Sequence, residues 1–239
     1  MDLATWLRSC FGAGRPSEVP ACDTMSRRAT RGSTAKAKAA PAPKETDKSA
    51  ALFAAYKDAD DDHIGPEGIE RLCQDLGVDP ADRKVLLLAW RMGAQRMGFF
   101  TREEFLQGLK ALKAPDLAKL KKALNGLDGA VSSPEDFQDF YQFAFRFCLT
   151  EPRQKIIDIE TAAQMLGLVM VDSPHAPDFI RFLQEQKEYK AINQDQWTGF
   201  WRFTQEVSPD LHDYDESQAW PLLLDNYVEW VQQRKTAAL

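Results

Sequence analysis

The sequence is poor in the residues that carry most enzyme chemistry. It has four cysteines and three histidines in 239 residues. Cys10, Cys22, Cys73 and Cys148 are scattered with no C-x-x-C pair, and the last two fall inside apolar helical patterns. The expectation is a reduced, intracellular protein without a disulfide framework. His63, His175 and His212 lie far apart in acidic or Pro-rich stretches, so no Cys–His nucleophile pair is indicated. There is no GxxxxGK[ST] loop, no GxGxxG after a strand and no HExxH. Catalysis by a residue of this chain is therefore not expected, nor is a cofactor or a bound metal. No apolar run approaches the roughly 18 residues of a membrane span. The opening MDLATWLRSCFG lacks a basic n-region and a long apolar core, which argues against a secretory signal. Asp2 stands where N-myristoylation needs glycine. The expected location is cytoplasmic and/or nuclear.

What is present begins with charge. Residues 1–44 hold eight Lys/Arg against three Asp/Glu, a net of +5, whereas the whole chain is −6 and the remainder therefore −11. An acidic body repels phosphates, so nucleic acid is not an expected partner, while a basic protein surface is. Residues 13–46, rich in Gly, Pro, Ser, Thr, Ala and Lys, read as part of a disordered basic tail over 1–46. The run Arg27, Arg28, Arg31, Lys36, Lys38 is read as a solvated linker in preference to a nuclear import signal. Leu3, Trp6, Leu7 and Phe11 suit a short amphipathic turn, but without a second anchor no membrane binding is expected.

From residue 47 to about 235, helix signals recur and nothing reads as an alternating strand. Asp79-Pro80 resembles an N-cap with an N1 proline ahead of VLLLAW. Thr101 and Glu104 have the spacing of a capping box. Ser133-Pro134 opens a segment whose aromatic face is Phe137, Phe140, Tyr141, Ala144, Phe147 and Cys148. Trp220, Leu223, Leu224, Tyr227, Val228 and Val231 form a further stripe, with Pro221 at a first-turn position. About ten helices are expected, in an all-α fold.

Two loops imitate calcium sites. In DADDDHIGPEGI, placing Asp58, Asp60 and Asp62 at loop positions 1, 3 and 5 puts His63 at the obligatory glycine and Ile69 at the obligatory glutamate. Placing Ile64 at the apolar position instead starts the loop at Lys57 and ends it at Gly68. GAQRMGFFTREE keeps Gly98, Phe100 and Glu104 in place, but offers Gly93, Gln95 and Met97 as its first ligands. The reading is an EF-hand-like helical pair without calcium ligands, followed by a bundle of about six further helices.

Several pieces resemble the defective in cullin neddylation family, which is built on a potentiating neddylation domain. Asp213-Tyr214-Asp215-Glu216-Ser217-Gln218-Ala219-Trp220-Pro221, continuing LLLDNYVEW, matches the family stretch NYDEEGAWPVLIDDFVEF. YKDADDDHIGPEGIERLCQDLGVDP, VLLLAWRM and DFYQFAFRF follow the family's order and spacing, and the resemblance runs over residues 47–233. It implies a monomeric, non-catalytic scaffold for cullin neddylation. Its partners are a cullin C-terminal winged-helix region, the acetylated N-terminal tail of a Nedd-type conjugating enzyme, and the cullin-bound RING protein. The family's cullin-facing acidic patch falls on Asp195, Ala219 and Asp225, although Asp195 also reads as an ordinary N-cap and Asp225 as part of a solvated face. Its pocket for the acetylated methionine falls on Ile69, Val85, Leu88, Phe147 and Leu168. A Gln and a Tyr of animal members become Met97 and Met165, which makes the pocket greasier. Residues 1–46 are too short and polar for the ubiquitin-binding domain of some members. Two rivals stay open: a calcium sensor or EF-hand adaptor outside this pathway, and a cysteine-dependent transferase.

Overall fold

The computed structural model describes residues 45–237 apart from Pro152. The basic run, the amphipathic first twelve residues, Cys10 and Cys22 lie outside the described residues.

The described residues begin with two helix–loop–strand–helix units. The first is α1 (Glu45–Tyr56), β1 (His63–Ile64) and α2 (Pro66–Leu76). The second is α3 (Arg83–Met92), β2 (Phe100–Thr101) and α4 (Arg102–Ala111), and β1 pairs antiparallel with β2. After α5 (Leu117–Leu124) and a 3-10 turn at Leu127–Val131, the same plan recurs. α6 (Pro134–Phe147), β3 (Ile156–Asp158) and α7 (Ile159–Val169) are followed by α8 (Ala176–Glu185), β4 (Ala191–Asn193) and α9 (Gln194–Glu206). β3 pairs antiparallel with β4, and α10 (Leu222–Ala237) closes the described chain. The fold is all-α, with four strands of two or three residues among the described residues. Those strands escape a search for alternation because each spans at most one period and a half.

Local chemistry sets the boundaries. The Thr101–Glu104 capping box opens α4. Ser133 caps α6, with Pro134 in its first turn. Asp79, however, does not cap α3. Its carboxylate accepts from Ala81 N at 2.8 Å and its carbonyl from Asp82 N at 2.9 Å, so Pro80 sits in a turn. Asp82 is the N-cap, accepting from Lys84 N. Pro221 likewise stands one residue ahead of α10, its carbonyl accepting from Leu224 N. Gly93, at φ +67°, ends α3 in the left-handed conformation that a residue with a Cβ resists.

The two halves share one core. Tyr141 of α6 and Trp197 of α9 stack with centroids 4.7 Å apart and exchange bonds: Tyr141 OH donates to Trp197 O, and Trp197 Nε1 donates to Tyr141 O. Buried rings that satisfy each other's backbone in this way leave no polar atom orphaned at the helix crossing. Phe179 of α8 stacks on Phe200 of α9 at 3.8 Å, and Tyr227 of α10 meets Phe179 edge-on.

The calcium-like loops are closed from within. Lys57 Nζ donates to the carbonyls of Asp58 and Asp61, both at 2.9 Å, while Asp58 accepts from Gly65 N and lies 3.2 Å from His63 Nε2. In the second loop the Glu104 carboxylate takes Gln95 N at 2.9 Å and Thr101 N at 2.8 Å. Among the described residues no group of three or more His, Cys, Asp or Glu side chains is placed to hold a metal ion.

Candidate functional site: an apolar pocket and an acidic helix seam

The pocket forms where the first half of the molecule meets the second. Ile69 comes from α2, Val85, Leu86 and Ala89 from α3, Met97 to Phe100 from the approach to β2, Phe147 from the end of α6, and Met165 and Leu168 from α7. Positions 85 and 89 are one turn apart, and so are 165 and 168, so each helix turns one face to the same space. Its enclosed part is about 30 Å³, and the empty space reaches about 430 Å³ only when open solvent at the mouth is included. Six of the seven residues assigned to it from sequence line it. The seventh, Leu88, does not. It is buried in the core and contributes stability, not lining.

The sequence reading missed Leu86, Ala89, Phe99 and Phe100. Ala89 was signalled by its spacing of four from Val85, and Leu86 by its spacing of three from Ala89; Phe99 and Phe100 follow Gly98. Met97 and Met165 are both buried, and both line the lumen. Leu168 is only partly buried and is the most accessible of the seven. Asp82 also reaches the pocket, but one of its carboxylate oxygens is engaged in capping α3.

The second feature is the seam between α9 and α10. Gly199 allows a close approach there, since a Cβ on it would lie 2.7 Å from Pro221 Cγ. Asp195, one turn before Gly199 on α9, is exposed. It does not cap the helix: Asn193 does, in a capping box with Gln196. Asp195 is thus a first-turn carboxylate, favourably placed against the helix dipole and free to face a partner. Ala219 is exposed on the strap leading into α10. Asp225, in the first turn of α10, is half-buried, and its carboxylate accepts from the Tyr214 hydroxyl. Burial and that bond to Asp225 raise the Tyr214 pKa, so the phenol stays a donor.

The strap between α9 and α10 is held by polar bonds along its length. Ser208 donates its backbone N–H to Asp213 and its hydroxyl to Asp210, His212 Nδ1 lies 2.7 Å from Asp210, Lys235 Nζ donates to the Asp210 carbonyl, and Arg202 donates to Gln218. Tyr214–Asp225 pins its middle to α10.

The two described cysteines are in the core. Burial pushes the Cys73 thiol up to about 12 and raises Cys148 as well, so both are held as thiols. No helix of the described residues is long and apolar enough to cross a membrane.

A family model described as Cullin binding matches residues 119–230. DCN1-like protein 2 of Dictyostelium discoideum is 45% identical over 177 residues, covering 74% of this chain and 66% of that protein. Human DCN1-like protein 4 is 42% identical over 176 residues, 73% of this chain and 60% of that protein. Human DCN1-like protein 5 is 39% identical over 178 residues, 74% of each. The chain thus spans under two thirds of the length of the first two and about three quarters of the third.

Proposed function

The chain belongs to the DCN1-like family, and on that premise we propose that it acts in cullin neddylation as a non-catalytic scaffold. In this reading the acidic seam at Asp195, Ala219 and Asp225 holds a basic face of a cullin C-terminal region. The apolar pocket takes the acetylated N-terminal methionine of a Nedd-type conjugating enzyme. A thioether side chain suits a lumen lined by Met97, Met165 and aliphatic residues, because both sides adapt their shape. Acetylation matters because a free α-amino group would have to shed its hydration in a lumen whose one lining carboxylate, Asp82, already caps α3 through one oxygen. Ala219 leaves room for a partner backbone, and Asp195 and Asp225 offer charge-assisted hydrogen bonds on either side of the seam.

The scaffold needs no reacting group. Fixing a charged conjugating enzyme beside its acceptor replaces an encounter of two molecules in solution with an oriented, effectively unimolecular step. Both buried thiols are poor nucleophiles in their protonated state, in keeping with that role.

The single observation that carries the proposal is the convergence of six separately placed residues from α2, α3, the β2 approach, α6 and α7 on one apolar lumen. Single-turnover neddylation of a purified cullin tail, with and without the protein, is the test. A clear rate increase that survives replacement of Cys73 and Cys148 by Ala or Ser is expected. No increase, or an increase that disappears in a cysteine variant with unchanged Tm, would overturn the scaffold.

A further inference from the structure

Among the described residues three large apolar side chains are exposed: Ile156 at 52%, Val171 at 53% and Leu222 at 67%. All three fall inside the span matched by the cullin-binding family model, residues 119–230, and none is on α1 to α4. Ile156 stands on β3 opposite Asn193, and Val171 in the α7–α8 connection. Leu222, the most exposed of the three, opens α10 at the seam.

In the run Leu222-Leu223-Leu224 the second and third side chains are fully buried in the core. The first instead shares its helical face with Asp225, Asn226 and Glu229, three, four and seven residues on. Two thirds of Leu222 stays in water, so the fold itself gains little from a leucine here. Its surroundings have the layout of an interface centre. Half-buried Pro221 lies close against Gly199, and Ala219 is exposed two residues earlier, so Ala219, Pro221 and Leu222 line the approach to α10 as a small apolar strip. Asp195 stands one turn before Gly199 on α9 and Asp225 one turn after Leu222 on α10, so each helix brings a carboxylate to that strip. Carboxylates steer a basic partner and set its register. Affinity comes from an apolar centre that a polar rim shuts off from water.

We propose that Leu222 is the apolar anchor of the seam and fills an apolar depression in the basic face of a cullin C-terminal region. The proposal rests on the cullin reading of the seam and adds a second recognition element to it. The two elements act on different rates. Asp195 and Asp225 chiefly speed association, whereas a side chain seated in an apolar depression chiefly slows dissociation. They also differ in their response to salt, which screens exposed charges and leaves apolar contact intact.

Calorimetry and binding kinetics of the full chain against a purified cullin C-terminal domain test it. Leu222→Ala should weaken binding about tenfold, mainly through faster dissociation, and the loss should persist from about 50 to about 500 mM salt. Leu222→Met, of similar volume and adaptable shape, should stay within about threefold of wild type. Leu222→Asp separates anchor from charge by the sign of its effect. A purely electrostatic seam gains a third carboxylate and binds more tightly. An anchor position loses its apolar contact and buries a charge, so binding should fall about thirtyfold or more. Val171→Ala, at a residue nearly as exposed but outside the seam, should change nothing. Tm should hold in every variant, because Leu222 lies mostly in water and aspartate suits the first turn of a helix. Tighter or unchanged binding by Leu222→Asp refutes the anchor and leaves the cullin reading standing. A Leu222→Ala loss that vanishes at high salt, or an equal loss in Val171→Ala, does the same. Absence of binding by the wild type removes both.

Discussion

The apolar pocket and the acidic seam are built in opposite ways. Nearly every pocket residue is also a core residue: Val85, Met97, Phe147 and Met165 are all at least 90% buried and belong to the single hydrophobic cluster. The seam residues lie at or near the surface, where Asp195 and Ala219 are exposed and Asp225 is fixed by one hydrogen bond. A site made of core cannot be altered without touching stability, whereas a site made of surface can. The pocket is as rigid as the fold. The seam is as ordered as the polar bonds that hold its strap.

The sharpest break of that comparison should come from charge. Asp225→Lys together with Asp195→Lys should abolish cullin binding while leaving acetylated-tail binding unchanged. Losing a charge pair desolvated by an interface costs about 2–5 kcal/mol, or roughly 30- to 3,000-fold in affinity. Reversal adds repulsion. Asp225 is not wholly free to change, because the variant leaves the Tyr214 hydroxyl without its acceptor. Asp225→Asn, which retains an acceptor oxygen, is the control for that loss. Calorimetry against a cullin C-terminal domain, with circular dichroism for folding, decides the matter. Binding of the folded double variant within about threefold of wild type sinks the assignment of the patch.

On the pocket side, Leu88 and Leu168 should separate core from lining. Leu88→Ala removes a wholly enclosed side chain outside the lumen and should cost about 2–5 kcal/mol of stability, with peptide affinity nearly unchanged in the folded fraction. Leu168→Asp places a carboxylate at the most accessible of the assigned lining positions and should weaken acetylated-tail binding about tenfold for a much smaller fall in Tm. If both variants lose affinity in proportion to Tm, the lumen is only core.

Leu88 also shows what a sequence can and cannot reveal here. Helix starts at Thr101 and Ser133, the aromatic face of α6 and the stripe of α10 were legible, because capping and periodicity are local. Six of the positions assigned through the resemblance fall around one lumen. Leu88, three residues after Val85, sits on nearly the same helical face, and only the packing of α3 against α4 and α6 decides which of the two meets the lumen. The N-cap of α3 was read at Asp79 and lies at Asp82, and that of α9 is Asn193 rather than Asp195, for which a cap was only the alternative reading; several capping residues cluster at both places, and hydrogen bonds choose among them. The Tyr214–Asp225 tie joins a strap to a helix and has no periodic signature. The strand pairs are too short to show any.

Tyr214→Phe tests that tie and should have a smaller effect. It keeps the ring against Phe203 and Trp220 but removes the donor that orients Asp225. A hydrogen bond to a charged group is worth about 1.5–3 kcal/mol at most, and partial exposure reduces it. Cullin affinity should therefore fall about three- to tenfold, with tail affinity unchanged. An unaltered cullin affinity would mean that Asp225 needs no positioning.

The smallest effect should come from pH, and it should again touch only the seam. His212 lies within hydrogen-bond distance of Asp210, and that bond, with the charges of Asp210 and Asp213, raises its pKa above 6.5. A raised histidine pKa means that the folded strap prefers the imidazolium. Its contribution is fully present below about pH 6.5 and is lost as pH rises through the folded value. Asp210 and Asp213 are shifted the other way by bonds from His212 and Ser208, so their contributions are present near neutrality and lost only in acid. All three groups are fully solvated, so screening keeps the effect small. On raising pH from 6 to 8.5, the strap should loosen slightly, seen as faster amide exchange over residues 208–219 in wild type than in His212→Gln measured as a ratio across the same range. Tail binding should not follow, because no histidine lines the pocket. A His212 ring whose titration midpoint, followed by NMR, falls at or below 6.5 would remove the basis for this difference. An equal pH response of pocket and seam would show that strap and core move together.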